Sequence, residues 1–138
     1  MIKVHFCNSK KPGAILINIF TLSRYSHVAI ETDKRIYESR LATGVHCPKS
    51  LHSIKRTIVF NDLNEDHIKA FLDTQVGKPY DKTAIMSFIF RRDWQETGSW
   101  FCSELVAMAL KVGGIKNIPK NVSKIDPGFL YKLISIKF

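Results

Sequence analysis

Apolar and polar positions alternate over residues 2–6 (IKVHF), the period of a half-buried strand. The same period returns in residues 26–32 (SHVAIET) and 35–39 (RIYES). Only Asp33-Lys34 separates them, which predicts two strands joined by a tight turn. A short strand is expected near residues 44–47, and residues 56–60 (RTIVF) predict the clearest later one. Helical spacing governs the rest. Residues 14–23 form an apolar run behind the Pro12-Gly13 turn and predict a buried helix. Asn64 precedes an acidic first turn and Gly77 follows the last, framing a helix over residues 65–76. Residues 82–90 predict a further helix capped by Asp81, and the polar stretch 91–99 predicts a loop. Residues 103–112 have helical apolar spacing and stop at Gly113-Gly114, while Asp126-Pro127 opens a last helix to about residue 133. Strands and helices interleave without a repeat or a linker-like stretch. The expected fold class is α+β: one domain over residues 1–138, with a small antiparallel sheet packed against helices.

Composition narrows the class without naming a function. With 45% hydrophobic and 24% charged residues, the 138-residue chain is neither disordered nor a small stapled scaffold, and it can bury a core unaided. Its three cysteines, Cys7, Cys47 and Cys102, are odd in number and form no CxxC pair, so a reducing compartment is expected. The first residues lack the apolar stretch of a signal peptide. The longest apolar run, residues 14–22, is too short to span a bilayer, so a cytoplasmic location is expected. Twenty-one Lys and Arg against 12 Asp and Glu leave a net charge of +9, which suits contact with polyanions. The basic residues are scattered in pairs, however, and no helix-turn-helix, RNP or zinc-finger signature accompanies them. Gly77-Lys78-Pro79-Tyr80-Asp81 lacks the spacing of a phosphate-cradling loop. No specific nucleic-acid site, no cofactor and a monomeric state are expected.

Candidate chemistry begins at Cys102, where a polar loop gives way to a helix. The unpaired N–H groups and dipole of a helix start favour thiolate over thiol, and a nucleophilic cysteine needs that bias plus a base. A free cysteine with neither is an ordinary small core residue. Among the five histidines, His52 and His67 fall in solvated segments, and His5 shares a strand face with Cys7. His27 opens an apolar strand on the same face as Ala29 and Glu31, where a facing helix has room for a side chain. The base then needs an orienting group. Glu38, eleven residues on and across the turn, is at hairpin distance; Glu31, on the strand of His27 itself, is roughly 13 Å away at the usual strand rise. His5, Cys7, His46 and Cys47 do not follow the spacing of a structural zinc site, and no metal is expected.

The segments Ser26-His27-Val28-Ala29-Ile30, Ile36-Tyr37-Glu38, Gly77-Lys78-Pro79-Tyr80-Asp81 and Phe101-Cys102-Ser103-Glu104-Leu105-Val106 occur in an order that resembles one superfamily. It is the circularly permuted NlpC/P60 (papain-like) proteins, particularly the YiiX/YebB-like group, and the similarity runs from about residue 15 to residue 110. The most specific element is the Cys-Ser-Glu-Leu-Val box with Gly-Lys-Pro-Tyr-Asp upstream. The resemblance implies a papain-like fold and a cysteine hydrolase site in which Cys102 is the nucleophile, His27 the base and Glu38 the residue orienting it. It places Tyr80 beside the site, where its phenol could donate toward an oxyanion together with the Cys102 N–H. The chain also resembles lecithin:retinol acyltransferase-like enzymes, which carry a second histidine where Glu38 stands here. The implied reaction is acyl transfer to water, cleaving an amide of a peptide or peptidoglycan stem through an acyl-enzyme. The alternatives are a lipid acyltransferase or thioesterase acting on a lipid acyl substrate, and a non-catalytic basic binding module on the same fold.

Overall fold

The structure, a computed structural model, describes residues 1–8, 25–40, 43–78, 102–119 and 125–135. The expected helices over residues 14–23 and 82–90 and the loop over 91–99 lie outside the described residues. Five strands are present there: β1 (Ile2–Cys7), β2 (His27–Glu31), β3 (Ile36–Arg40), β4 (Gly44–His46) and β5 (Ile54–Phe60). Three helices join them: α1 (Glu65–Gln75), α2 (Cys102–Val112) and α3 (Pro127–Ser135). The strands form one antiparallel sheet in the order β4-β3-β2-β1-β5. The α+β class is therefore observed. Among the described residues no helix is long and apolar enough to cross a membrane.

Strand alternation divides the sheet into two chemically different faces. Ile2, Val4 and Phe6 of β1, Val28 and Ile30 of β2, Tyr37 of β3 and Val45 of β4 belong to the buried core. Against them pack α1 through Ile68 and Leu72, and α2 through Leu105, Val106, Ala109 and Leu110. Removing one such buried leucine costs about 2–5 kcal/mol, so this face holds the fold together. The opposite face carries Lys3, His5 and Cys7, whose register partners on β2 are Glu31, Ala29 and His27. Glu38, opposite His46 on β4, continues the polar face outward.

The caps follow local chemistry. The Asn64 side chain accepts the His67 N–H at 3.0 Å, and Asp126 accepts the Phe129 N–H at 2.7 Å, so each helix start satisfies a backbone donor. Gly77 leaves α1 at a φ of 96°, a conformation in which a side chain would be strained. The start of α2 is anchored from below, where the Ser103 hydroxyl donates to the Ile125 carbonyl ahead of α3. Tyr131 of α3 closes the arrangement by meeting the Phe6 ring edge-on at a centroid distance of 5.2 Å.

Candidate active site

His27 is the first residue of β2, and Glu38 is the third of β3. The two strands pair through Ile30–Tyr37 and Glu31–Ile36, which aligns the His27 end of β2 with the far end of β3. Side chains of one parity then share a face, and His27 Nε2 meets Glu38 Oε1 at 2.7 Å. Glu38 is 2% exposed, and a carboxylate buried that deeply needs several donors. It has them: Oε2 accepts from Arg40 Nε and from His46 Nε2, both at 2.7 Å. Burial pushes the Glu38 carboxyl upward, but hydrogen bonds from His27 and Arg40 and their charges outweigh it. The net shift is below the usual carboxylate range, so Glu38 is ionised at neutral pH.

An ionised carboxylate only accepts hydrogen bonds, so the neutral His27 ring carries its proton on Nε2 and keeps a lone pair on Nδ1. Burial lowers the His27 pKa, and the opposing pull of Glu38 does not reverse it. Among the described residues Nδ1 has no hydrogen-bonding partner. The arrangement thus holds a neutral imidazole in one tautomer with a proton-accepting nitrogen free.

Cys102 opens α2, the helix packed on β2 and β3. Its side chain is 0% exposed. Burial pushes the thiol up to about 12, although the backbone N–H groups of Val28 and Ser103 favour the thiolate. The expected bias toward thiolate is therefore overturned by desolvation, which exceeds what backbone donors supply at a helix start. Val28 directly follows His27, so the sulfur lies against the strand segment that carries the base. No Cys102–His27 hydrogen bond is formed among the described residues. Glu104, buried in the first turn of α2, raises the thiol further through its charge. Tyr80 and Asp81 lie outside the described residues.

Glu31, the rival carboxylate, serves a different imidazole: its Oε2 lies 2.6 Å from His5 Nε2. The other His5 nitrogen, Nδ1, meets the Thr57 hydroxyl at 2.9 Å. Of the residues weighed as metal ligands, His5 and His46 thus face carboxylates on different strands, and the Cys47 sulfur accepts from Arg35 at 4.0 Å. Among the described residues no group of His, Cys, Asp and Glu is placed to hold a metal ion. An open pocket of about 460 Å³ lies at the β2–β3 turn, lined by Glu31, Lys34, Arg35, Cys47 and Lys49 among others, and includes none of His27, Glu38 or Cys102.

Sequence reasoning missed Arg40 and His46 as partners of Glu38. Arg40 was findable, because it lies two residues past Glu38 and shares its face. His46 was not, because its place opposite Glu38 depends on the register of β3 and β4, in which Gly44, at a φ of 66°, pairs with Arg40. Compared with models of protein families the chain matches none, and no curated protein is significantly similar to it.

Proposed function

We propose that this protein is a cysteine hydrolase of the papain-like, permuted NlpC/P60 type, cleaving an amide bond of a peptide or peptidoglycan stem. One observation carries the reading: His27 is held through Nε2 by a buried, ionised Glu38 while Nδ1 has no partner among the described residues, on the strand against which Cys102 packs. A histidine that only filled space would need neither the carboxylate nor the free nitrogen.

Both pKa shifts disfavour an ion pair, since the Cys102 thiol is raised and the His27 ring is lowered. The site therefore rests as neutral thiol and neutral imidazole. The reaction requires the Cys102 thiol, on the helix side of β2, to reach His27 Nδ1 around the amino end of that strand; its proton then moves to Nδ1 as sulfur attacks the carbonyl carbon. The imidazolium that forms is stabilised by Glu38 and returns the proton to the departing amine nitrogen as the C–N bond breaks. A water, deprotonated by the same nitrogen, then cleaves the thioester and regenerates the thiol. The Cys102 N–H and the Tyr80 hydroxyl are the donors assigned to the oxyanion.

The complete burial of Cys102 favours a second reading, a non-catalytic basic module in which the thiol is a core residue. One paired experiment separates the two. Hydrolysis is measured on panels of peptide amides, muropeptide fragments and lipid acyl esters, and heparin binding is measured across a salt series. The hydrolase reading expects turnover that Cys102→Ser removes almost entirely, because a hydroxyl is a far weaker nucleophile. Turnover of lipid esters alone would move the assignment to an acyltransferase or thioesterase. No turnover, with binding that falls steeply with salt and ignores the substitution, would leave only the basic module.

A further inference from the structure

Arg40 does two things at the edge of the candidate site, and the first explains only one of its nitrogens. Its Nε donates to Glu38 Oε2 at 2.7 Å, which fixes the plane of the guanidinium. Among the described residues the two terminal nitrogens have no hydrogen-bonding partner, and the side chain is 41% exposed. A guanidinium held by Nε and open at its far end presents a preorganised pair of donors, the geometry that accepts a carboxylate end-on. Its place is also defined. Glu38 holds Arg40 on one oxygen and the His27 ring on the other, so the open donors stand within two hydrogen bonds of the base. The Arg40 charge is felt at both the His27 ring and the Cys102 thiol. His46, the third donor to Glu38, lies on the β4 side of the carboxylate.

We infer that the terminal nitrogens of Arg40 bind a carboxylate of the substrate, so that the preferred bond is an amide or ester flanked by a free carboxylate. The inference rests on the hydrolase reading for the word substrate, whereas the carboxylate site stands on the geometry of Arg40 alone. A neutral acyl chain of the same length lacks the charge-assisted pair and gains nothing from the fork.

Two measurements test this and keep the two ideas apart. Acetate is titrated into the whole protein at constant ionic strength, with chloride as the balancing anion, while NMR follows the Arg40 Nε–H and His27 ring signals. Saturable shifts of both are expected, and they disappear in Arg40→Lys, whose single ammonium cannot hold Glu38 and present a fork. Shifts that rise linearly, or that chloride reproduces, would overturn the carboxylate site. The second measurement compares kcat/KM for the 4-nitrophenyl monoester of succinic acid with that for 4-nitrophenyl butyrate. A preference of about tenfold for the succinate ester is expected, falling toward unity in Arg40→Lys and appearing mainly in KM. Hydrolysis of both esters without preference would overturn the role of Arg40 in specificity and leave the hydrolase standing. Saturable acetate binding with neither ester cleaved would leave the carboxylate site standing, and overturn its role toward a substrate. Both wild-type measurements hold whether or not the variant folds.

Discussion

Of the imidazole–carboxylate pairs on the polar face of the sheet, His5–Glu31 and His27–Glu38 are finished differently. In the first, His5 of β1 spans Glu31 and Thr57, so both ring nitrogens are satisfied at 2.6 and 2.9 Å. In the second, His27 of β2 gives Nε2 to Glu38 at 2.7 Å and, among the described residues, leaves Nδ1 open. The carboxylates differ as well. The Glu31 side chain is 29% exposed and takes a further cation, Lys3, only at 4.0 Å, whereas Glu38 is sealed in and takes three close donors. A closed ring with a half-exposed carboxylate is a cross-strand polar clasp. An open ring nitrogen backed by a buried, fully engaged carboxylate is preorganised to accept a proton. The residue types are identical in the two pairs. What separates them is a second partner of the histidine, which His5 has in Thr57 and His27 lacks among the described residues, and the depth of each carboxylate.

The sharpest way to break this comparison is to remove each histidine in turn. His27→Ala should lower hydrolysis by about 10²-fold or more, the usual contribution of a positioned base, while His5→Ala should leave the rate of the folded fraction within a few fold. Steady-state rates on the best amide or ester of the panel decide it. Equal losses from both substitutions would make the two pairs alike and sink the distinction.

Stability should separate the carboxylates next. Glu38→Ala strands an arginine and two imidazoles around a buried gap and should cost about 3–5 kcal/mol by urea unfolding. Glu31→Ala removes a partly solvated pair and should cost about 1 kcal/mol or less. Glu38→Gln should fall between, since the amide keeps an acceptor but cannot balance the charge of Arg40.

The pH dependence of stability sharpens the second pair further. The folded pKa values of His27 and Glu38 both lie below their ordinary values of 6.5 and 4.5, so the unfolded chain binds more protons as pH falls. Stability contributed by these groups is complete above about 6.5. It declines first as the pH passes below the ordinary histidine value, then again below about 4.5 as Glu38 is protonated. Unfolding free energies measured from pH 8 to pH 4 should lose the upper part of this slope in His27→Gln and the lower part in Glu38→Gln. An unchanged upper slope in His27→Gln would show that the ring is not held neutral by burial.

The smallest effect concerns the thiols. Burial raises Cys7 to about 11 and Cys102 to about 12, whereas Cys47 is half-exposed, so iodoacetamide should modify Cys47 first in the substrate-free protein. Mass spectrometry of partial labelling gives the order. Fastest modification at Cys102 would mean that the thiol is far less buried in solution and would strengthen the nucleophile assignment.

Local patterns carried much of the fold. Period-two alternation marked β2 and β3 to within a residue, and the chemistry of Asn64 and Asp126 marked the helix starts, because strand faces and caps depend on residues close in sequence. The same short range made the His27–Glu38 pair legible, since a tight turn at Asp33-Lys34 leaves little freedom in the register of the two strands. Three features were decided only by tertiary structure. His46 reaches Glu38 through the register of a second hairpin, and Glu31 is claimed by His5 from a strand more than twenty residues earlier. The Cys102 thiol depends on a balance between a local effect and a global one. A helix start is visible in the sequence and favours the thiolate, but the depth at which that start is buried is set by the sheet, by α1 and by the anchoring of Ser103 to Ile125. Desolvation acts through everything that surrounds a group, so no pattern along the chain reports it, and here it outweighs the bias that the pattern does report.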